Sequence, residues 1–305
     1  MTPPQSDRTT ARLQYRVFTA TRPGINPDVP SGYEPLMWVA NSATLIYGER
    51  DAVLVDTFFT LDHSDKLADE IAATGKNLTN IYITHAHGDH FFGINMLKRR
   101  FPQVRAVAPT AVVARIANRL AADLRLLRER FPGRIPDDPG TPESLDGASI
   151  ELEGEALIPI EAGYTDTADS TILHVPSIGL IAAGDVVYNG VHPFLAETNK
   201  QTRHEWIEAL GRLEALEPRA VVAGHKVPAR DDDPRNIAET RDYLLDFVRL
   251  DPVTNSPRAL FDAMIELYPD RANPGSLWGG ATAAKAHRAN GSPGALGAAA
   301  MDAHS

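Results

Sequence analysis

The sequence predicts an α/β protein, and three observations carry that expectation. Short apolar runs bounded by turn residues alternate with amphipathic stretches of helical spacing. The order of strands followed by helices occurs twice along the chain. The 305 residues are 43% hydrophobic and 23% charged, a balance that supports a large packed core and excludes disorder of the whole chain.

The elements follow in order. Residues 1–36 are rich in Pro and Gly around one strand-like run, LQYRVFTA, and are expected to form a wrapping arm rather than a domain. The runs MWVANSATLIYG and AVLVDT read as a hairpin entering a sheet. DHSDKLADEIAATG is a helix that ends at Gly75, where glycine can take the left-handed cap conformation. The strand NIYIT leads through HAHGDH into an amphipathic helix, FFGINMLKRRF, followed by the strand VRAVAP and the long helix TAVVARIANRLAADLRLLRERF. PGRIPDDPGTPESLDG is a loop, either a connector or a lid over a site. A second set of strands follows in SIELEG, ALIPIEAG, STILHVP and GLIAAGDVVY; a helix near RHEWIEALGRLEAL precedes the strand AVVAGH. The core is expected to span 37–233, a helical extension 234–285, and a flexible tail 286–305.

Composition narrows the chemistry. There is no cysteine, so disulfides, thiolate nucleophiles, iron–sulfur clusters and sulfur-ligated zinc are excluded, and any metal must sit on His, Asp or Glu. Forty acidic against thirty basic residues give a net charge of −10, which argues against a nucleic-acid partner. The basic run from Arg119 to Arg130 is interrupted by acids, as a solvated helix face would be. No stretch approaches the roughly 20 apolar residues of a membrane span, and the first residues lack a secretory apolar core, so a cytoplasmic location is expected.

Three of the ten histidines, His85, His87 and His90, fall within six positions, beside Asp89. They begin where an apolar strand ends, so one turn can aim several donors into a single space; imidazole and carboxylate are the zinc ligands left once sulfur is absent. Asp185 follows the apolar run GLIAAG, His225 follows AVVAG, and Asp56 follows AVLV. Ligands at the ends of different strands can converge on one sheet edge, with Asp56 read as a carboxylate that orients a ligand histidine. His192, on the segment after Asp185, could reach substrate.

With HAHGDH, Asp185 in AAGD and His225 in AGH in place, the stretch from about Met37 to His225 resembles the metallo-β-lactamase-fold hydrolases, and the Asp89–His90 pair resembles their glyoxalase II and lactonase branches. The resemblance implies a four-layer αββα sandwich with a binuclear metal site along one edge. His85, His87 and a further histidine would form one site, Asp89, His90 and His225 the other, and Asp185 would bridge them. The further histidine usually stands in a G-H-T segment; here the matching segment is EAGYTDTADS, with Tyr164 at that position. Three readings are open: a substitution that disables turnover, a variant holding one metal firmly, or a different register in which another residue fills the gap. Asp166 and Asp169 read as turn-forming residues and His174 as a core histidine.

The resemblance implies a zinc-dependent hydrolase with one or two Zn2+ per chain. A metal-bound hydroxide would cleave a lactone, ester, thioester or lactam of a small-molecule substrate, with Asp89 orienting the nucleophile and Tyr164 and His192 facing substrate. The alternatives are a sulfur dioxygenase holding one Fe2+ and a metal-binding protein without turnover. The apolar face of the helix from Thr110 could serve a homo-oligomer as readily as a core.

Overall fold

The computed structural model describes residues 13–26 and 28–289. Its strands are β1 (Gln14–Pro23), β2 (Trp38–Tyr47), β3 (Asp51–Val55), β4 (Asn77–Tyr82), β5 (Arg105–Ala108), β6 (Glu143–Ser144), β7 (Ile150–Leu152), β8 (Glu155–Gly163), β9 (Ser170–Val175), β10 (Leu180–Asn189) and β11 (Ala220–Lys226). Its helices are α1 (Leu61–Ala72), α2 (Gly88–Phe91), α3 (Ile94–Arg100), α4 (Thr110–Arg130), α5 (Lys200–Glu214), α6 (Arg235–Leu250), α7 (Pro257–Leu267) and α8 (Pro274–Ala289).

The strands run β6-β5-β4-β3-β2-β11-β10-β9-β8-β7 across a curled sheet, with β1 laid antiparallel along β2. The two halves meet at β2 and β11, where the pairing is confined to His225 and Asn41. Side-chain alternation along the strands then builds three cores. Leu45, Leu54 and Ile81 face outward onto Leu67 of α1, Leu97 of α3 and Ile116 of α4. Ile46, Val53, Val55 and Tyr82 face inward and meet Leu173, Val175, Leu180 and Val222 of the other half. On the far side Ile181, Val187 and Val221 pack on Trp206 of α5, Tyr243 of α6, Phe261 of α7 and Leu277 of α8. The layers are therefore helix, half-sheet, half-sheet, helix, as expected.

Several details depart from the sequence reading. The N-terminal arm is an integral strand: β1 pairs with β2 along its whole length and buries Phe18 in the first core. FFGINMLKRRF is not one helix but the end of α2 and the whole of α3, because the backbone at Gly93 lies so close to Thr57 and Phe58 that a Cβ there would stand 2.7 Å from the Phe58 carbonyl oxygen. The Pro-rich loop is a connector fastened to the first half: Pro139 accepts from Asn95 N, Arg134 accepts from Leu61 N, and Ile135 is buried. The apolar face of α4 is spent on the core through Val112, Ile116 and Leu127. The extension after residue 233 is three helices, and α8 runs into the stretch expected as a tail, of which 290–305 lie outside the described residues, as do residues 1–12 of the arm. No helix among the described residues is long and apolar enough to cross a membrane.

The halves are also joined at the rim away from the site. Glu153, in the β7–β8 turn with φ +52°, accepts hydrogen bonds from the main-chain N–H groups of Glu49, Arg50 and Asp51 in the β2–β3 turn, at 2.9, 2.7 and 2.8 Å. These bonds hold its carboxyl down at about 2, from an ordinary 4.5. A depressed carboxyl stabilises the fold fully above its unfolded value and loses that contribution as pH falls through its folded one. Replacing Glu153 with Ala should therefore lower Tm at neutral pH, and the gap to the parent should close between about pH 4.5 and about pH 2 in calorimetric scans.

Candidate metal centre

The chemistry gathers on the edge where β3, β4, β10 and β11 end. β4 stops at Tyr82, the turn that follows presents His85 and His87, and α2 places Asp89 and His90 one turn further on. Asp185 lies within β10, not beyond it, at the irregularity where the β10–β11 register shifts on both sides of Gly184. A bulge of this kind re-aims a side chain out of the ladder. Gly184, with φ +49°, has room only for hydrogen beside Thr84, and Gly224 on β11 only for hydrogen beside Asp185. His225 closes the edge at the end of β11.

The cluster of candidate donors differs at one position from the sequence expectation. Asp166, in the β8–β9 turn, is wholly buried, with Oδ2 at 2.8 Å from His87 Nδ1 and 3.7 Å from His85 Nε2. Its Oδ1 accepts from the Thr165 hydroxyl at 2.9 Å within the turn, as a turn-forming residue would, while its Oδ2 stands where the reading based on Tyr164 left a gap. Tyr164 points elsewhere: its hydroxyl donates to the Glu197 carbonyl oxygen at 2.7 Å, and it does not line the adjoining cavity. Asp169 keeps its turn role, with φ +59° and an ion pair to Arg115 at 2.8 Å. His192 is not a substrate-facing residue either. It is buried in the second half with Nδ1 at 2.9 Å from the Tyr243 hydroxyl, and burial, with Arg271 nearby, pushes it down to about 3.

Two groups of donors result. His85, His87, Asp166 and Asp185 offer ligand atoms that all lie within 4.8 Å of one another, as do those of Asp89, His90 and His225. Asp185 joins the groups, with Oδ1 at 3.2 Å from His90 Nε2 and Oδ2 at 3.2 Å from His225 Nε2.

Each imidazole is anchored through its other nitrogen. Thr84 spends its hydroxyl proton on Asp56 Oδ2, so it accepts from His85 Nδ1 at 2.9 Å. His90 Nδ1 meets Asp56 Oδ2 at 3.0 Å, His225 Nδ1 meets the Ala40 carbonyl at 3.1 Å, and His87 Nε2 meets Glu197 Oε1 at 3.1 Å. Asp56, held in a left-handed conformation at φ +59°, thus serves two of the histidines. The nitrogens left over face the carboxylates at ion-pair distance, and four of the facing atoms, His85 Nε2, His90 Nε2, Asp166 Oδ2 and Asp185 Oδ1, are buried without a hydrogen bond of good geometry. Buried polar atoms are rarely orphaned, and nitrogen and carboxylate lone pairs converging on one space fit divalent cations.

The surroundings sharpen the charges. Burial, reinforced by His90, pushes His85 down to about 4, so it is neutral at pH 7. His87 goes the other way: against burial, Glu197 and Asp166 hold it up at about 10. Burial disfavours the Asp89 carboxylate, but His90, Arg22 and His225 outweigh it and hold the carboxyl far below the usual range. Arg22, delivered by β1, donates to Asp89 Oδ2 at 2.8 Å, and Asn41 donates to the same oxygen at 2.9 Å.

Glu197 is the residue that sequence reasoning missed. Besides His87 it accepts from Arg119 Nη2 at 3.0 Å and from Thr167 Oγ1 at 2.8 Å. Nothing in the segment FLAET distinguishes it from an ordinary loop acid; only its contacts do. Replacing Glu197 with Ala should weaken cation binding about 10–100-fold in chelator competition while far-UV circular dichroism stays unchanged. Because a His87 proton must leave when a cation binds, affinity should rise with pH from 6 upward, with proton release seen by calorimetry in buffers of different ionisation enthalpy.

A family model described as the metallo-beta-lactamase superfamily matches residues 36–225. Over 124 residues the chain is 32% identical to a hydroxyacylglutathione hydrolase from Rhodopseudomonas palustris; the aligned stretch covers 41% of this chain and 43% of that protein. Among solved structures it resembles a metallo-beta-lactamase family protein from Thermus thermophilus, at TM-score 0.59 and 21% identity over 90% of this chain and 94% of that one. It also resembles a beta-lactamase domain protein from Burkholderia ambifaria, at TM-score 0.61 and 18% identity over 89% and 85%. Those structural likenesses concern the fold. With the family model spanning well over half of the sequence, the chain belongs to the metallo-beta-lactamase superfamily.

Proposed function

We propose that the chain is a metal-dependent hydrolase that opens an acyl bond, in a lactone, ester, thioester or lactam, with two zinc ions. The observation that carries this reading is the set of buried donor atoms of His85, His90, Asp166 and Asp185 that crowd one space without hydrogen bonds of good geometry. His85, His87 and Asp166 would hold one cation, Asp89, His90 and His225 the other, with Asp185 shared between them. Neutral imidazoles and carboxylates without sulfur suit zinc, and the family membership supports that choice.

A cation held there would supply a water acidified from 15.7 toward about 7 and a Lewis acid for a carbonyl oxygen. The chain's own residues do the positioning. Asp89 has Oδ2 committed to Arg22 and Asn41, which fixes its carboxylate and leaves Oδ1 to orient the attacking water. The Tyr188 hydroxyl donates to Asp185 Oδ2 at 2.6 Å and so fixes the shared carboxylate. Arg22 stacks 4.9 Å from the Phe59 ring and has its donors spent on Asn41, Pro23 and Asp89, so it holds Asp89 in its ionised form rather than reaching outward.

Elemental analysis of the purified protein reconstituted with zinc should find close to two ions per chain. Asp166→Asn should lower that to about one and cut hydrolysis of a simple aryl ester at least tenfold. Tyr164→Phe should leave the stoichiometry at two. Loss of metal in the Tyr164 variant but not in the Asp166 variant would overturn the ligand set, and iron with oxygen uptake on a persulfide would overturn the hydrolase reading.

A further inference from the structure

Beside the metal cluster lies a cavity of about 340 Å3, near the small end of the roughly 300–1,000 Å3 usual for ligand sites. It reaches the cluster at His87, Asp89, Asp185 and His225. Away from those residues most of its exposed wall is apolar: Ile25 from the segment after β1, Leu126 and Leu127 from α4, and Phe194 and Ala196 from the β10–α5 loop, with the uncharged polar side chains of Asn26, Asn273 and Ser276 beside them.

Both guanidiniums in this wall are already paired. Its two guanidiniums face four carboxylates, those of Asp89, Asp123, Asp185 and Glu197. Arg22 is paired with Asp89 at 2.8 Å. Arg119 bonds Asp123 through Nε at 2.9 Å and Glu197 through both terminal nitrogens, at 3.3 and 3.0 Å. Outside the metal cluster, therefore, neither guanidinium among the described lining residues is left to receive an anionic group on the substrate, and an unpaired carboxylate buried against leucine and phenylalanine is costly.

We infer that this pocket selects substrates whose acyl portion is uncharged and apolar, and that it disfavours acyl chains bearing a carboxylate. The inference rests on the reading of the centre as an acyl hydrolase and narrows its substrate class.

The test compares two probes of equal chain length with the zinc-loaded protein. Dissociation constants for hexanamide and for the monoamide of adipic acid are measured by ligand-observed NMR, and kcat/KM for the matching 4-nitrophenyl esters by absorbance. The expected result is a preference of at least tenfold for the uncharged probe in both. Leu126→Arg, which adds an unpaired cation to the wall, should narrow or reverse that preference. Tighter binding of the uncharged amide with no cleavage of either ester would support the pocket assignment and overturn the hydrolase reading. Equal binding, tighter binding of the carboxylate probe, or binding of neither would overturn the pocket assignment, whatever the turnover.

Discussion

The structure turns on one electrostatic obligation: a set of carboxylates withdrawn from water at a single sheet edge. Asp56, Asp166 and Asp185 are all at most 3% exposed, and Asp89 stands beside them. Burying one unpaired carboxylate already costs several kcal/mol, and a cluster of them is tolerable only with compensating positive charge. The four histidines cannot supply it evenly, because burial and His90 keep His85 neutral, whereas His87 and His90 are held in their charged forms by their acidic neighbours. Divalent cations would resolve the conflict, since they would satisfy the carboxylates and the imidazole nitrogens that face them at once.

Much of the surrounding architecture exists to hold that edge. The β2–β11 ladder that joins the halves is limited to one residue pair, so the strand ends beyond it can bring donors from both halves to one edge. The glycines at 184 and 224 let Thr84 and Asp185 approach backbone that any side chain would displace. β1 threads the first half and carries Arg22 to Asp89, and the loop after β10 carries Glu197 to His87. The same loop and α4 then form the apolar side of the cavity, so metal support and substrate wall are built from shared segments.

The legible part of this design was the part with local signatures. HAHGDH concentrates four donors in one turn, and Asp56, Asp185 and His225 each follow a strongly apolar run, so period-two patterning and a short motif were enough to bring them together. The layer order followed from the two strand–helix passes. Asp166 was not legible, because its placement depends on the path of the turn between β8 and β9: a register anchored on Gly163 and Thr165 points to Tyr164, while the folded turn sends the Tyr164 hydroxyl to a carbonyl and buries Asp166 against His87. His192 misled for a related reason, since its position after a strand said nothing of Tyr243 from α6, which claims it. Glu197, Arg22 and Asn41 act through contacts 48 to 110 residues apart in sequence, and no local pattern reports such pairings.

In the proposed two-metal centre Asp166 completes the first group of donors. The most direct measurement is an anomalous difference map recorded at the zinc absorption edge from crystals of the zinc-loaded protein. Two peaks, one bounded by His85, His87 and the Asp166 carboxylate and the other by Asp89, His90 and His225, are the predicted result. A single peak in the second group, or a first peak that contacts the Tyr164 oxygen while Asp166 stands apart, would contradict it.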